Sequence, residues 1–384
     1  MGNSISSYSS YLACPNKEMA LPSTPPALSD VVVDEILRRL PPEEPACLVR
    51  SSLVCKPWHL LLSEPTFPRR YRELHCTPPV LGFLYNKCFV PTTTFDPPLF
   101  PPAFDCFSWV ALDCRHGRVL LHTMNPTCLV IWDPITNEKH FLPQVPDEPC
   151  NHLTAAVLCA ANDCNHMNCH GGPFLVVFGC TADEDVMGDA SVTWMSVYSS
   201  ETEEWSVPTW IHLGPISRSQ DVMGPSLLIG NMLYFLLEDG RRILKYDLGG
   251  HHLLVMNTPP LPVGNMALVK AEDGGLEVAG VEGYNLRLWS WRGAAGWVQG
   301  KVIELDMMIS MDIGDPSTKL LVVGFSDGAN TIFVSANDGI FSVELRSDSV
   351  RKICDRKIFD AIIPYASFYT PDYARGRLQP PVRM

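Results

Sequence analysis

Apolar positions fall into two regimes along the chain. Between residues 28 and 62 they recur with helical spacing. Val33, Ile36, Leu37 and Leu40 stand at i, i+3, i+4 and i+7, a stripe on one helix face. Ser29 and Asp30 suit the start of that helix, and Pro41-Pro42 ends it. Glu43 and Glu44 sit where a second helix begins, favourable to its dipole. Ala46, Leu48, Val49, Leu53, Val54, Cys55, Trp58, Leu61 and Leu62 continue the apolar series, and Pro57 divides it into two helices. Three helices in about 35 residues bury little surface, and units this small need outside help. A partner or the neighbouring domain is expected to cover the surplus.

From residue 80 the pattern changes to strands. VLGFLY (80–85) and CFVPTTTF (88–95) are short, β-branched and aromatic. A unit then recurs. Its first half is a hairpin, as in WVALDCRHGRVLLH, SLLIGNMLYFLL, MALVKAEDGGLEVAGV and IFVSANDGIFSVEL. Its second half is strand, polar turn, strand, as in LVIWDPITNEKHFLP, MSVYSSETEEWSVP and ILKYDLGGHHLLVM. Aligning Trp132, Tyr198, Tyr246, Trp289 and Val343 gives steps of 66, 48, 43 and 54 residues. A period near 45 with four strands per unit marks a β-propeller. Gly230-Asn231, Asp273-Gly274-Gly275 and Asp338-Gly339 supply hairpin turns. Five units are counted, and a sixth can be assembled from residues 80–95 with IFDAIIPYASFYT (358–370), closing the ring. Neither paired kelch glycines in register nor a repeating WD dipeptide is present, and a β-sandwich pair or irregular all-β domain is the alternative. The expected fold is α+β overall: a small three-helix head, then an all-β, six-bladed propeller-like domain. The expected divisions are a flexible arm (1–27), the head (28–66), a linker (67–79), the β domain (80–375) and a tail (376–384).

The head resembles an F-box. That pattern has an initial Leu, an Ile-Leu pair on the first helix, a Leu-Pro, then Leu-Val-Cys-Lys-x-Trp and a closing Leu. Here these are Leu28, Ile36-Leu37, Leu40-Pro41, Leu53-Val54-Cys55-Lys56-Pro57-Trp58 and Leu61-Leu62. One departure is Ser29, where the family has Pro. The head with its β-rich sequel resembles the F-box proteins expanded in grasses and other plants, whose associated domain is propeller-like. The resemblance implies a non-catalytic substrate-recognition subunit of a Skp–cullin–F-box ubiquitin ligase. Leu28, Ile36, Leu37, Leu40, Pro41, Leu48, Val54, Cys55, Lys56 and Trp58 would dock on a Skp-type adaptor and, through it, a cullin, while propeller loops hold an unidentified target protein. Loops 160–172 and 181–191 are candidates for that contact by length. A propeller enzyme or ligand sensor, whose helical head only dimerises or caps the β body, is the alternative. An F-box protein acting outside ubiquitination is a third reading.

Composition narrows the partners. The formal net charge of -13 argues against general nucleic-acid binding and against adhesion to anionic membranes. No run of about 18 apolar residues is present, and the first twenty residues lack a secretory signal, so cytoplasm or nucleus is expected. Met1-Gly2-Asn3-Ser4-Ile5-Ser6 fits the myristoylation pattern at Gly2, a single weak anchor without a polybasic second signal, and Cys14 is a weaker candidate for palmitate. Fourteen cysteines in an unsecreted chain read as reduced core residues. Cys150, His152, Cys159, Cys164, His166, Cys169 and His170 crowd one insertion and supply ligands that zinc prefers. Their spacing fits no standard zinc motif, so the reading is an Asn/Gly-rich loop with no metal and no cofactor. Nucleophile-elbow, phosphate-loop, HExxH and dinucleotide glycine patterns are absent from the sequence. Asp183, Glu184, Asp185 and Asp189 read as a solvated insertion. Trp132, Tyr198, Trp205, Trp289, Trp291 and Trp297 read as blade packing.

Overall fold

Val33 and Leu37 turn one side of the first helix into a small core, 4% and 0% exposed. The computed structural model describes residues 28–85, 88–92, 109–124, 127–136, 138–145, 152–167, 169, 171–183, 191–214, 224–237, 240–262, 266–305, 319–355 and 361–370. Helix α1 (Asp30–Arg38) is followed by α2 (Pro45–Ser52), α3 (Lys56–Leu62) and α4 (Phe67–His75). Prolines start three of the four, because an N–H missing from the first turn costs nothing there. Pro57 thus opens α3. The linking stretch holds a fourth helix, α4, whose Phe67 and Tyr71 are each 1% exposed. The Tyr71 hydroxyl donates to the Leu40 carbonyl (2.9 Å), and Arg70 reaches the Asp34 carboxylate (2.8 Å), fastening α4 to α1. Of the three arginines of α4, Arg69 is exposed while Arg70 and Arg72 are half-buried. The longest of these helices has nine residues, and among the described residues none is long and apolar enough to cross a membrane.

Among the described residues the remainder forms six antiparallel sheets. β1 (Val80–Tyr85) and β2 (Cys88–Pro91) open the first. The second is β3 (Val110–Arg115), β4 (Arg118–Met124), β5 (Thr127–Trp132) and β6 (Lys139–Phe141). The third is β7 (His152–Cys159), β8 (Phe174–Asp183) and β9 (Ser191–Ser199), with β10 (Glu204–Trp205) and β11 (Thr209–His212) both paired to β9. The fourth runs β12 (Leu227–Ile229), β13 (Met232–Leu236), β14 (Arg242–Asp247), β15 (His252–Asn257). The fifth runs β16 (Met266–Lys270), β17 (Leu276–Glu282), β18 (Asn285–Trp291), β19 (Trp297–Glu304). The sixth runs β20 (Leu321–Ser326), β21 (Thr331–Ala336), β22 (Gly339–Glu344), β23 (Val350–Cys354). Last, β24 (Ile363–Ala366) returns to pair antiparallel with β1 and completes the first sheet. The first strands of successive sheets lie side by side around the axis: β3 beside β7, β16 beside β20, and β24 beside both β20 and β3. This is a six-bladed propeller closed by its C-terminal strand.

Stacking buries both faces of a blade, which is why β21 is buried at five of six positions rather than at alternate ones. The five aligned positions all lie on the third strand of their blades. Trp132, Tyr198, Tyr246 and Val343 are at most 3% exposed, whereas Trp289 sits beside a β-bulge in the β18–β19 pairing and is half-buried. The turn that follows the third strand is held by an Asp in two blades. The Asp133 carboxylate accepts the Ile135 N–H (2.8 Å), and Asp247 accepts the Gly249 N–H (2.9 Å). At Gly339 (φ 145°) an added Cβ would strike the Cys354 carbonyl oxygen, so only glycine fits that hairpin.

The described cysteines are free thiols with one exception. Cys180, on β8, is disulfide-bonded, which corrects the all-reduced reading at that position. Cysteine count informs on compartment; pairing depends on which sulfurs the fold brings together.

His122 on β4 carries a pH dependence. It is 2% exposed, packs 6.3 Å from the Phe178 ring, and neither ring nitrogen has a hydrogen-bond partner among the described residues. Burial pushes its pKa down to about 4. The folded chain therefore keeps it neutral while the unfolded chain takes a proton below about pH 6.5, so stability falls as pH drops from about 6.5 toward 4. At pH 5 this amounts to about 2 kcal/mol. Urea unfolding at pH 7 and pH 5 should show His122→Leu losing about that much less than the wild type over the interval; equal losses would refute the assignment.

Candidate docking surface and the cavity beneath the head

Val31-Val32-Val33 is a run of three apolar residues on a helix that can turn only one of them inward. Val33 is buried, while Val31 and Val32 are 79% and 44% exposed. Ile36, four residues after Val32, continues the outward side at 42%. The turn between α2 and α3 presents Leu53 (77%) and Val54 (62%), and α3 adds Leu60 (66%). Leu28 precedes α1 at 57%. Among the described residues the head, under a fifth of the chain, holds eight of the fifteen exposed large hydrophobic side chains. Singly scattered apolar residues are ordinary; this concentration on four short helices marks an interaction surface.

The sequence-derived docking residues divide by burial. Leu28, Ile36, Pro41, Val54, Cys55 and Lys56 are exposed. Leu40 and Trp58 are half-buried against the head's core. Leu37 and Leu48, at 0% and 1% exposure, are interior. The last two hold the head together from within its core. Sequence reasoning omitted Val31, Val32, Leu53 and Leu60 from the docking set. The signal for the first two was present, since the valine run exceeds what one inward face can absorb.

Charged side chains bracket the outer face of α1. Arg38 pairs with Asp34 (2.9 Å) and with Glu35, and Arg39 pairs with Glu35 (2.7 Å). The Arg39–Glu35 pair is exposed and adds a few tenths of a kcal/mol, while Asp34 is buried against α4.

The head packs on the propeller. Phe368, just after β24, inserts into the head's core with Val33, Leu37, Leu48, Leu62, Phe67 and Tyr71. Its ring meets Tyr71 edge-on, centroids 6.2 Å apart. The adjacent Ser367 N–H donates to the Pro79 carbonyl (3.1 Å), tying the end of the ring to the junction.

Between α3–α4 and the ring lies a cavity of about 1000 Å³. Arg69 and Arg72 line it from the head, and Asp113, His116, Lys270 and Asp327 from the propeller. Burial lowers the pKa of Arg72, partly offset by Asp133. Burial also holds His116 down at about 3, assisted by His166, Arg115 and Arg118, so its imidazole is neutral at physiological pH. Loop 160–172 forms part of the wall through Asn165, His166, Met167 and Cys169. Gly2, Cys14, most of loop 181–191 and the side chains of its acidic run lie outside the described residues.

Residues 26–70 match the F-box domain, and residues 110–373 match the family described as F-box protein AT5G49610-like, beta-propeller. The chain belongs to that family. This F-box propeller protein has no match among the curated proteins compared. Solved structures resemble the chain only distantly. The WD40 domain of SCAP from fission yeast is 12% identical over 66% of this chain, with a TM-score of 0.34, and the chain spans 53% of that structure's length. A functionally unknown protein from Desulfotomaculum acetoxidans is 12% identical over 67% of this chain and 74% of its own, TM-score 0.38. A Lactobacillus plantarum protein is 12% identical over 65% and 70%, also at 0.38.

Proposed function

We propose that this F-box protein is the target-recognition subunit of a Skp–cullin–F-box ubiquitin ligase, working in cytoplasm or nucleus. The observation that carries the reading is the concentration of exposed apolar side chains on the head. Leu28, Val32, Ile36, Leu53, Val54 and Leu60 dock on a Skp-type adaptor, with Leu40, Pro41 and Trp58 at the edge of the contact. Aliphatic anchors entering a partner's groove are what interface energetics favour. The propeller holds a target protein through its loops. Catalysis is by proximity: the complex raises the target's effective concentration beside the charged ubiquitin-conjugating enzyme, and this chain makes and breaks no bond.

The test uses outward-facing residues, which leave the fold intact. Ile36→Asp combined with Leu53→Asp should cut adaptor capture by the full chain about 1000-fold, as two anchors of about 2 kcal/mol each would give. The thermal midpoint should not move. Undiminished capture sinks the proposal.

The cavity beneath the head favours a second reading, a ligand sensor whose head is a cap. That reading requires a small molecule to co-purify with the full chain and adaptor capture to fail in the wild type.

A further inference from the structure

The third blade's first two strands are joined by an insertion that folds back on its own beginning. β7 ends at Cys159, and the chain passes Cys164, His166 and Cys169 before β8 starts at Phe174. Three thiol sulfurs and one imidazole nitrogen from these residues all lie within 4.8 Å of one another. Four ligand atoms at the corners of a tetrahedron around zinc, at about 2.3 Å for sulfur, stand about 3.8 Å apart. The Cys169 Sγ to His166 Nδ1 separation is already 3.8 Å. The set needs to contract by no more than about 1 Å to close on an ion.

The surroundings suit such a site. The His166 backbone N–H points at the Cys164 sulfur (3.3 Å), an orientation that stabilises a metal-bound thiolate. Asp163 and His166 adopt positive φ (50° and 58°), so the backbone bends sharply where the ligands converge. Three thiolates and a neutral imidazole on Zn²⁺ leave a net charge of −1. Arg118, 2% exposed, brings a counter-charge to that side: its guanidinium donates to the Cys169 and Gly172 carbonyls, both at 2.5 Å, and lies 5.4 Å from the Phe174 ring centroid. The His116 ring stacks on His166, centroids 4.2 Å apart and 11° from parallel, fixing the plane of the ligand ring.

We propose that Cys159, Cys164, His166 and Cys169 form a structural Cys₃His zinc site that pins the β7–β8 insertion against the wall of the cavity. The set combines soft thiolates with an imidazole, the ligand mixture of closed four-coordinate zinc sites. It binds Zn²⁺ by releasing thiol protons, with no change in oxidation state.

The full-length chain, expressed in zinc-supplemented medium without a polyhistidine tag and purified reduced, should carry one zinc per chain by elemental mass spectrometry. Cys164→Ser and Cys169→Ser should each lower that occupancy several-fold, and Cys88→Ser, in β2 on another blade, should not. Should the two cluster variants fail to fold, the wild type decides. A chelator should release the zinc and expose three additional reactive thiols together, and Co²⁺ in its place should give the thiolate charge-transfer band and the visible bands of a tetrahedral site. Zinc well below one equivalent overturns the proposal. So does chelation that exposes no thiols, or a disulfide joining any two of the three cysteines.

Discussion

Asp113→Ala should destabilise the propeller by about 3–5 kcal/mol, the range for removing one member of a buried charged pair. Asp113 is 0% exposed on β3, the axial strand of the second blade. Its Oδ2 accepts the Val157 N–H of β7 at 2.9 Å and the Ser226 hydroxyl at 3.4 Å, and lies 3.9 Å from the Arg115 guanidinium. Arg115 in turn donates to the Ser226 carbonyl (2.9 Å) and hydroxyl (3.0 Å), just before β12. One carboxylate and one guanidinium thereby join the axial strands of three successive blades. Burial pushes the Asp113 carboxyl up, and Arg115, the Val157 N–H and Ser226 pull it down. Alanine leaves the Val157 N–H and the Arg115 charge without this buried acceptor. Asp113→Asn keeps the shape and an acceptor oxygen and should cost less. Guanidinium unfolding midpoints measure both; an alanine variant within about 1 kcal/mol of the wild type would show that the network contributes little.

Phe368→Ala should loosen the docking head although the substitution lies at the other end of the chain. The ring is 6% exposed and fills the head's core. Truncating a buried Phe costs about 3–5 kcal/mol, which for a unit of four short helices is most of its stability. Amide exchange in α1 and α4 should accelerate strongly while β13 and β21 keep their protection. Adaptor affinity should weaken in parallel and recover at saturating adaptor, since binding selects the folded head. Phe368→Leu should fall between. Unchanged exchange in α1 and α4 would mean that the head stands without the propeller's help.

The ring was legible in the sequence because every blade repeats one local pattern. Trp132, Tyr198, Tyr246 and Val343 occupy equivalent buried places because a third strand must fill the gap between neighbouring blades. Trp289 departs where a bulge shifts the pairing, and a bulge leaves no periodic trace. Closure by β24 is legible in the strand-like stretches that flank the repeats. The head was legible as helix and F-box, but not which apolar side faces out. Leu37 and Ile36 are adjacent in the motif, yet one is core and the other surface. The Cys159–Cys169 set shows in the sequence as a crowd of ligand types whose spacing matches no standard motif. Proximity there comes from a loop returning to the end of a strand, which only the fold supplies.

The closing strand also sets a timetable. The ribosome makes the head before the blades, yet Phe368, which fills its core, emerges only after all the other blades, immediately behind the strand that shuts the ring. A nascent chain that stalls before residue 363 therefore has an open first blade and a head with a hole in it. Under the proposed role, an unfinished propeller is a poor competitor for adaptor. Recruitment competence and target-binding competence ripen together, once the closing strand has been made.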